Sequence, residues 1–75
     1  MNNIVECVPN FSEGRNRAVV DEIVAAIQSI PGTTILDVEM DSDHNRSVIT
    51  FVGEKENIAE AAFRGIHRAS QLIDL

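Results

Sequence analysis

The run V-E-C-V-P-N-F-S-E-G, Val5 to Gly14, constrains this chain more than any other. A short apolar strand over Ile4–Val8 stops at Pro9, because proline has no N–H to give to a ladder. A polar, glycine-containing loop follows, and from about Asn16 the apolar spacing becomes helical. A strand that empties into a loop at the mouth of a helix collects Asn10, Ser12, the Glu13 carboxylate and free backbone N–H groups. Small-molecule sites of α/β proteins are built in such places.

The remaining chain alternates between the two periods. Val19, Ile23, Ile27 and Ile30, widened by Val20 and Val24, form one stripe of an amphipathic helix that Pro31-Gly32 ends. Thr34–Met40 alternates as a strand, with Leu36, Val38 and Met40 expected in the core and Ile35, Asp37 and Glu39 opposite them. Ser47–Val52 is a β-branched strand containing Phe51, and the short polar loop Asp41–Ser47 makes these two strands an antiparallel hairpin. From about Lys55, Ile58, Ala62, Ile66, Ala69 and Ile73, with Ala59 and Phe63 beside them, trace a second helix. No Gly or Pro closes it, so an uncapped, fraying last turn is expected at Leu75.

The order β-α-β-β-α predicts an α/β (α+β) fold. It is an incomplete ferredoxin-like unit: a three-stranded antiparallel sheet with two helices on one face. The last strand of that topology would lie beside the first, which leaves Ile4–Val8 as an edge. The expected core is Ile23, Ile27, Leu36, Val38, Ile58, Phe63 and Ile66.

Composition excludes several classes of function. Seventy-five residues support only a marginal core, and with no Trp or Tyr it must be Val, Ile, Leu and Ala. A net charge of −6 argues against nucleic acid or an anionic membrane as partner. The chain has no run long enough for a membrane span, and Met1-Asn2-Asn3 does not begin a signal peptide. The single Cys7 forms no internal disulfide, which fits a reducing cytoplasmic compartment. Cys7 lies mid-strand on an apolar face, where thiols are usually packing groups.

The polar loops carry the chemistry. Asp41, Asp43 and Asn45 match the start of a calcium loop, but Arg46 stands where glycine is required and Val52 where the bidentate glutamate belongs, so no metal is expected. His44 has no second histidine at ligand spacing, and His67 falls on the polar face of the second helix. Arg46 sits where the loop enters a strand, with a fork suited to a carboxylate. Glu39 and Asp37 project from the neighbouring strand. With Asn10, Ser12 and Glu13 these residues are expected to line the open face of the sheet, carboxylates receiving a cationic amidine-like group and Arg46 an acidic one. Ordinary surface pairing is the competing reading.

The opening run, L-D-V at Leu36–Val38, D-x-D-H-N-R-S-V-x-T-F-V-G at Asp41–Gly53 and A-S-Q-L-I-D at Ala69–Asp74 together resemble the amino-terminal part of the glutamate formiminotransferase family. The resemblance spans nearly the whole chain, so residues 1–75 are expected to be part of that family's amino-terminal subdomain. It implies transfer of a formimino group from N-formimino-L-glutamate to tetrahydrofolate in histidine degradation. It also implies two α/β subdomains with folate in the groove between them, a homo-oligomer, and no metal. The family's acid/base histidine lies in an H-P-R-M-G-A segment that this sequence does not contain, so no catalytic residue is assigned and neither His44 nor His67 inherits the role. The substrate-binding residues it implies are Asn10, Ser12, Glu13, Glu39, Asn45 and Arg46. Two readings compete with the enzyme: a stand-alone non-catalytic module binding folate or a partner chain, and a small-ligand regulatory domain. A reading frame continuing into H-P-R-M-G-A separates the first reading from these.

Overall fold

The structure, a computed structural model, describes residues 3–73. Its elements are β1 (Ile4–Cys7), β2 (Asn10–Phe11), α1 (Arg17–Gln28), β3 (Thr34–Asp41), β4 (Arg46–Glu54) and α2 (Lys55–Leu72). All strand pairings are antiparallel, and all are made with β4. The α+β expectation holds, with four strands instead of three.

Pro9 accounts for the extra strand. Cys7 pairs with Phe51 and Asn10 with Val48, the same register on either side of the break. Val8 and Pro9 therefore fall in line opposite Thr50 and Ile49. Pro9 cannot donate, but its carbonyl still accepts the Ile49 N–H at 3.1 Å. The proline interrupts the strand's hydrogen bonding without ending its course, so β1 and β2 lie end to end along one side of β4 and β3 along the other.

Both helices cover one face of this sheet. β4 alternates strictly, burying Ser47, Ile49, Phe51 and Gly53. Ile49 and Phe51 join Phe11, Val20, Ile23, Ile27, Ala61 and Ala69 in a single core. Asn16 starts α1: its side-chain oxygen accepts the N–H groups of Ala18 and Val19 at 3.0 and 3.4 Å, two of the donors a helix start leaves unpaired.

Two parts of the expected core are corrected. Ile35 pairs with Phe51 but Asp37 pairs with Thr50, so Leu36 is an extra residue, a β-bulge. The bulge resets the alternation. Ile35, Val38 and Met40 pack toward the core, while Leu36 is 56% exposed. In α2 the buried residues are Ala61, Gly65 and Ala69, whereas Phe63 and Ile66 are 59% and 56% exposed. A Cβ on Gly65 would lie 2.7 Å from Cγ1 of Ile27, so only glycine permits this approach of α2 to α1. Small residues at four-residue spacing turn that side of α2 inward, and the larger apolar side chains turn out. Ile58 and Val38 are half-buried, packed against the core; Ile23 and Ile27 are fully buried, as expected.

The helix α2 stops at Leu72, where Ile73 becomes extended and gives its N–H to the Ala69 carbonyl at 2.8 Å. The uncapped turn expected at Leu75 lies outside the described residues. Among those residues no helix is long and apolar enough to cross a membrane.

Candidate functional site

The face of the sheet turned away from the helices carries the polar residues. Asn10 and Glu39 both pair with Val48, from opposite sides of β4, so the three form one row across the sheet. Two pairs further along, Asp41 stands opposite Arg46. These residues, with Met40 and His44, line an open cleft of about 370 Å³. The sequence placed Asn10, Glu39 and Arg46 on a shared open face, and the topology brings them to one hollow.

Among the described residues Arg46 makes no ion pair and its guanidinium donates no hydrogen bond; the four ion pairs use Arg17, His44, Arg64 and Arg68. Its charge is open to a ligand. Glu39 likewise has no ion-pair partner among them. The cleft thus offers a carboxylate and a guanidinium two residues apart along the sheet, a pattern suited to a ligand bearing both a cationic and an acidic group.

The other three named residues sit elsewhere. Ser12 borders a second hollow of about 230 Å³, which Asn10 shares and which Phe11, Ile66, Ala69, Ser70 and Ile73 complete. Glu13 folds back on its own loop, where one carboxylate oxygen accepts the N–H groups of Arg15 and Asn16, each at 3.0 Å. Those two backbone donors hold its pKa below the ordinary glutamate value. Asn45 occupies the left-handed region at φ 51°, and its side-chain oxygen accepts the Gly14 N–H at 3.0 Å. Gly14 itself is buried against the hairpin; a Cβ there would collide with the carbonyl oxygens of Asp41 and Arg46 and the Arg46 nitrogen. Glu13 and Asn45 therefore shape the two loops that frame the cleft.

Asp41 and His44 line the cleft and were not named as binding residues. One Asp41 oxygen accepts the N–H groups of Asp43 and His44, at 3.0 and 3.3 Å, in a turn that an aspartate commonly makes. The other lies 2.7 Å from Nδ1 of His44. The His44 ring, then the backbone donors, lower the Asp41 pKa. The D-x-x-H spacing was the available signal. Among the described residues no group of three or more His, Cys, Asp or Glu side chains is arranged to hold a metal ion.

Helices on one face and a charged cleft on the other define a two-layer α+β domain with its polar surface on the open sheet. The chain belongs to the formiminotransferase family: the sequence model for the formiminotransferase domain, N-terminal subdomain, matches residues 4–75. It is 56% identical over 75 residues to a glutamate formimidoyltransferase of Streptococcus pyogenes, covering all of this chain and 25% of that protein. A protein of the same name from Thermoplasma acidophilum is 56% identical over 73 residues, 97% of this chain and 24% of the relative. The formimidoyltransferase-cyclodeaminase of Mus musculus is 51% identical over 75 residues, all of this chain and 14% of that protein. The chain thus spans about a quarter or less of the relatives it matches.

Proposed function

We propose that this chain is the front part of the amino-terminal subdomain of a folate-dependent formimidoyltransferase, and that its cleft holds N-formimino-L-glutamate. The supporting observation is the convergence of Asn10, Glu39 and Arg46 on one hollow, with Arg46 free of ion pairs among the described residues. The substrate carries a cationic amidine and two carboxylates, and the cleft offers one charge of each sign. Glu39 would steady the amidinium, Arg46 would take a carboxylate in a bidentate contact, and Asn10 would hydrogen-bond between them.

In the reaction so read, the folate amine attacks the amidine carbon. A carbon–nitrogen bond to folate forms and the one to glutamate breaks. The proton leaving the attacking amine goes, through an acid/base group outside this chain, to the departing glutamate nitrogen. Tetrahydrofolate enters as co-substrate. This reading carries with it a homo-oligomer working in the cytoplasm on small molecules, not on nucleic acid or membrane.

The test is Arg46→Ala in the longer protein. The expected result is a rise in KM for N-formimino-L-glutamate well above any rise for tetrahydrofolate. Unchanged KM for both substrates overturns the assignment.

A further inference from the structure

Arg46 and Asp41 are directly opposed on neighbouring strands, and both line the cleft. Opposed residues on one face of an antiparallel pair have Cβ atoms about 4.5–5.5 Å apart, the distance at which opposite charges pair. Among the described residues they nevertheless form no ion pair. Asp41 is occupied otherwise. Its first oxygen takes the backbone N–H groups of Asp43 and His44, and its second takes Nδ1 of His44 at 2.7 Å. The geometry points to His44 as a positioning residue that holds the Asp41 carboxylate away from Arg46 and so keeps the guanidinium available to an acidic ligand.

An internal carboxylate and an external one compete for the same guanidinium. A carboxylate beside it is itself the ligand an anion site is built to capture. Asp41 is tethered at high effective concentration, so an unrestrained Asp41 would oppose every external carboxylate. Glu39 competes less, since its pairing partner is Val48 and it stands only diagonally from Arg46. The Asp43 carboxylate accepts no hydrogen bond from Arg46, and Arg15 is committed to the Ser42 carbonyl at 2.8 Å. His44 donates from Nδ1 both as the neutral Nδ1–H tautomer and as imidazolium, so the restraint does not require a charged ring. The backbone bonds to the first Asp41 oxygen do not depend on the His44 side chain. Removing the ring therefore frees the second oxygen while the turn stays in place.

This inference rests on the reading of Arg46 as the carboxylate acceptor, and the experiment separates the two. N-formimino-L-glutamate is titrated into this chain for wild type, Arg46→Ala, His44→Ala, Asp41→Asn and the double variant Asp41→Asn/His44→Ala. The backbone amide NMR signal of Val48, in the cleft, reads binding, and that of Gly14 in the free chain reads the loops. An exposed ion pair sets the size of the effect, so His44→Ala is expected to weaken binding about three- to fivefold. The double variant returns to within about twofold of wild type, because a neutral carboxamide at position 41 no longer competes. An unshifted Gly14 amide shows that the loops keep their shape. His44→Ala binding as wild type does, or the double variant remaining as weak as His44→Ala, overturns the role of His44 while a weakened Arg46→Ala upholds the acceptor. No difference between wild type and Arg46→Ala overturns both.

Discussion

The side-chain oxygen of Asn45 accepts the backbone N–H of Gly14 at 3.0 Å, joining two loops that are 31 residues apart in sequence. This bond fixes the β3–β4 hairpin loop against the loop that leads into α1, and the charged cleft opens beside it. Asn45→Ala loses the acceptor and places alanine at φ 51°. The two effects together should cost about 2 kcal/mol. Asn45→Gly accepts that backbone angle and loses only the bond, so about 1 kcal/mol is expected. Urea unfolding of the two variants checks the order; equal losses would remove the left-handed backbone from the account.

Gly65→Ala is expected to destabilise the chain by about 1–3 kcal/mol, because the added methyl meets Ile27 where the helices touch. Ile23→Ala, at a fully buried site, should cost about 2–5 kcal/mol. Ile66→Ala, at a site 56% exposed, should cost under about 1 kcal/mol. Thermal unfolding of the three variants tests the orientation of α2. A loss at Ile66 equal to that at Ile23 would mean that the helix is turned the other way.

Glu13 and Asp41 both titrate below their ordinary values in the folded chain. A lowered carboxyl pKa favours folding above the unfolded value, and that contribution disappears as pH falls through the folded one. The loops around the cleft should therefore loosen as pH drops from about 4, where free carboxylates begin to protonate, and finish at the lower folded midpoints. Carboxyl NMR titration reads both groups. In His44→Ala the Asp41 midpoint should rise while the Glu13 midpoint stays, since Glu13 is held by Arg15 and Asn16.

The strand β1 pairs only with β4, so its other edge is unpaired among the described residues, flanked by Ile4, Val5 and Val8 with much of their surface exposed. Exposed apolar edges recruit further strands. Self-association at millimolar concentration is expected in sedimentation, and Val5→Lys should suppress it. A monomer at that concentration with strongly protected amides along β1 would contradict this.

By itself the chain should transfer no formimino group to tetrahydrofolate, since the proposed reaction draws on an acid/base group outside it. Turnover measured with both substrates would reassign the chemistry, with the Asp41–His44 pair the first place to look.

Periodicity was a good guide wherever one residue fills one position. It found both helices, the hairpin and the inward face of α1, because Ile23 and Ile27 are large and repeat at helical spacing. It failed at Leu36, since a bulge adds a residue without any glycine or proline to mark it. It failed at Gly65 because hydropathy rewards large apolar side chains, whereas close helix contact rewards the absence of one. In the candidate site, Glu39 was legible from charge and strand parity and Arg46 from its charge where a loop enters a strand, whereas Asn10, read as a loop residue beyond Pro9, lies in β2. The loop-shaping positions of Asn45 and Glu13 depend on a backbone angle and on local N–H groups that side-chain pattern does not encode.

The two irregularities of the sheet meet at Thr50 from either side of β4: Leu36 lies between the residues paired with Phe51 and Thr50, and Val8 and Pro9 lie opposite Thr50 and Ile49. A line drawn through them divides the sheet crosswise into two parts, which β4 and the bulged β3 both cross. Asn10, Glu39, Asp41 and Arg46 all belong to one part, and the termini of β1 and β4 where Asn3 anchors Lys55 belong to the other. These four polar residues of the cleft therefore all take their positions from strand pairings on one side of this crease.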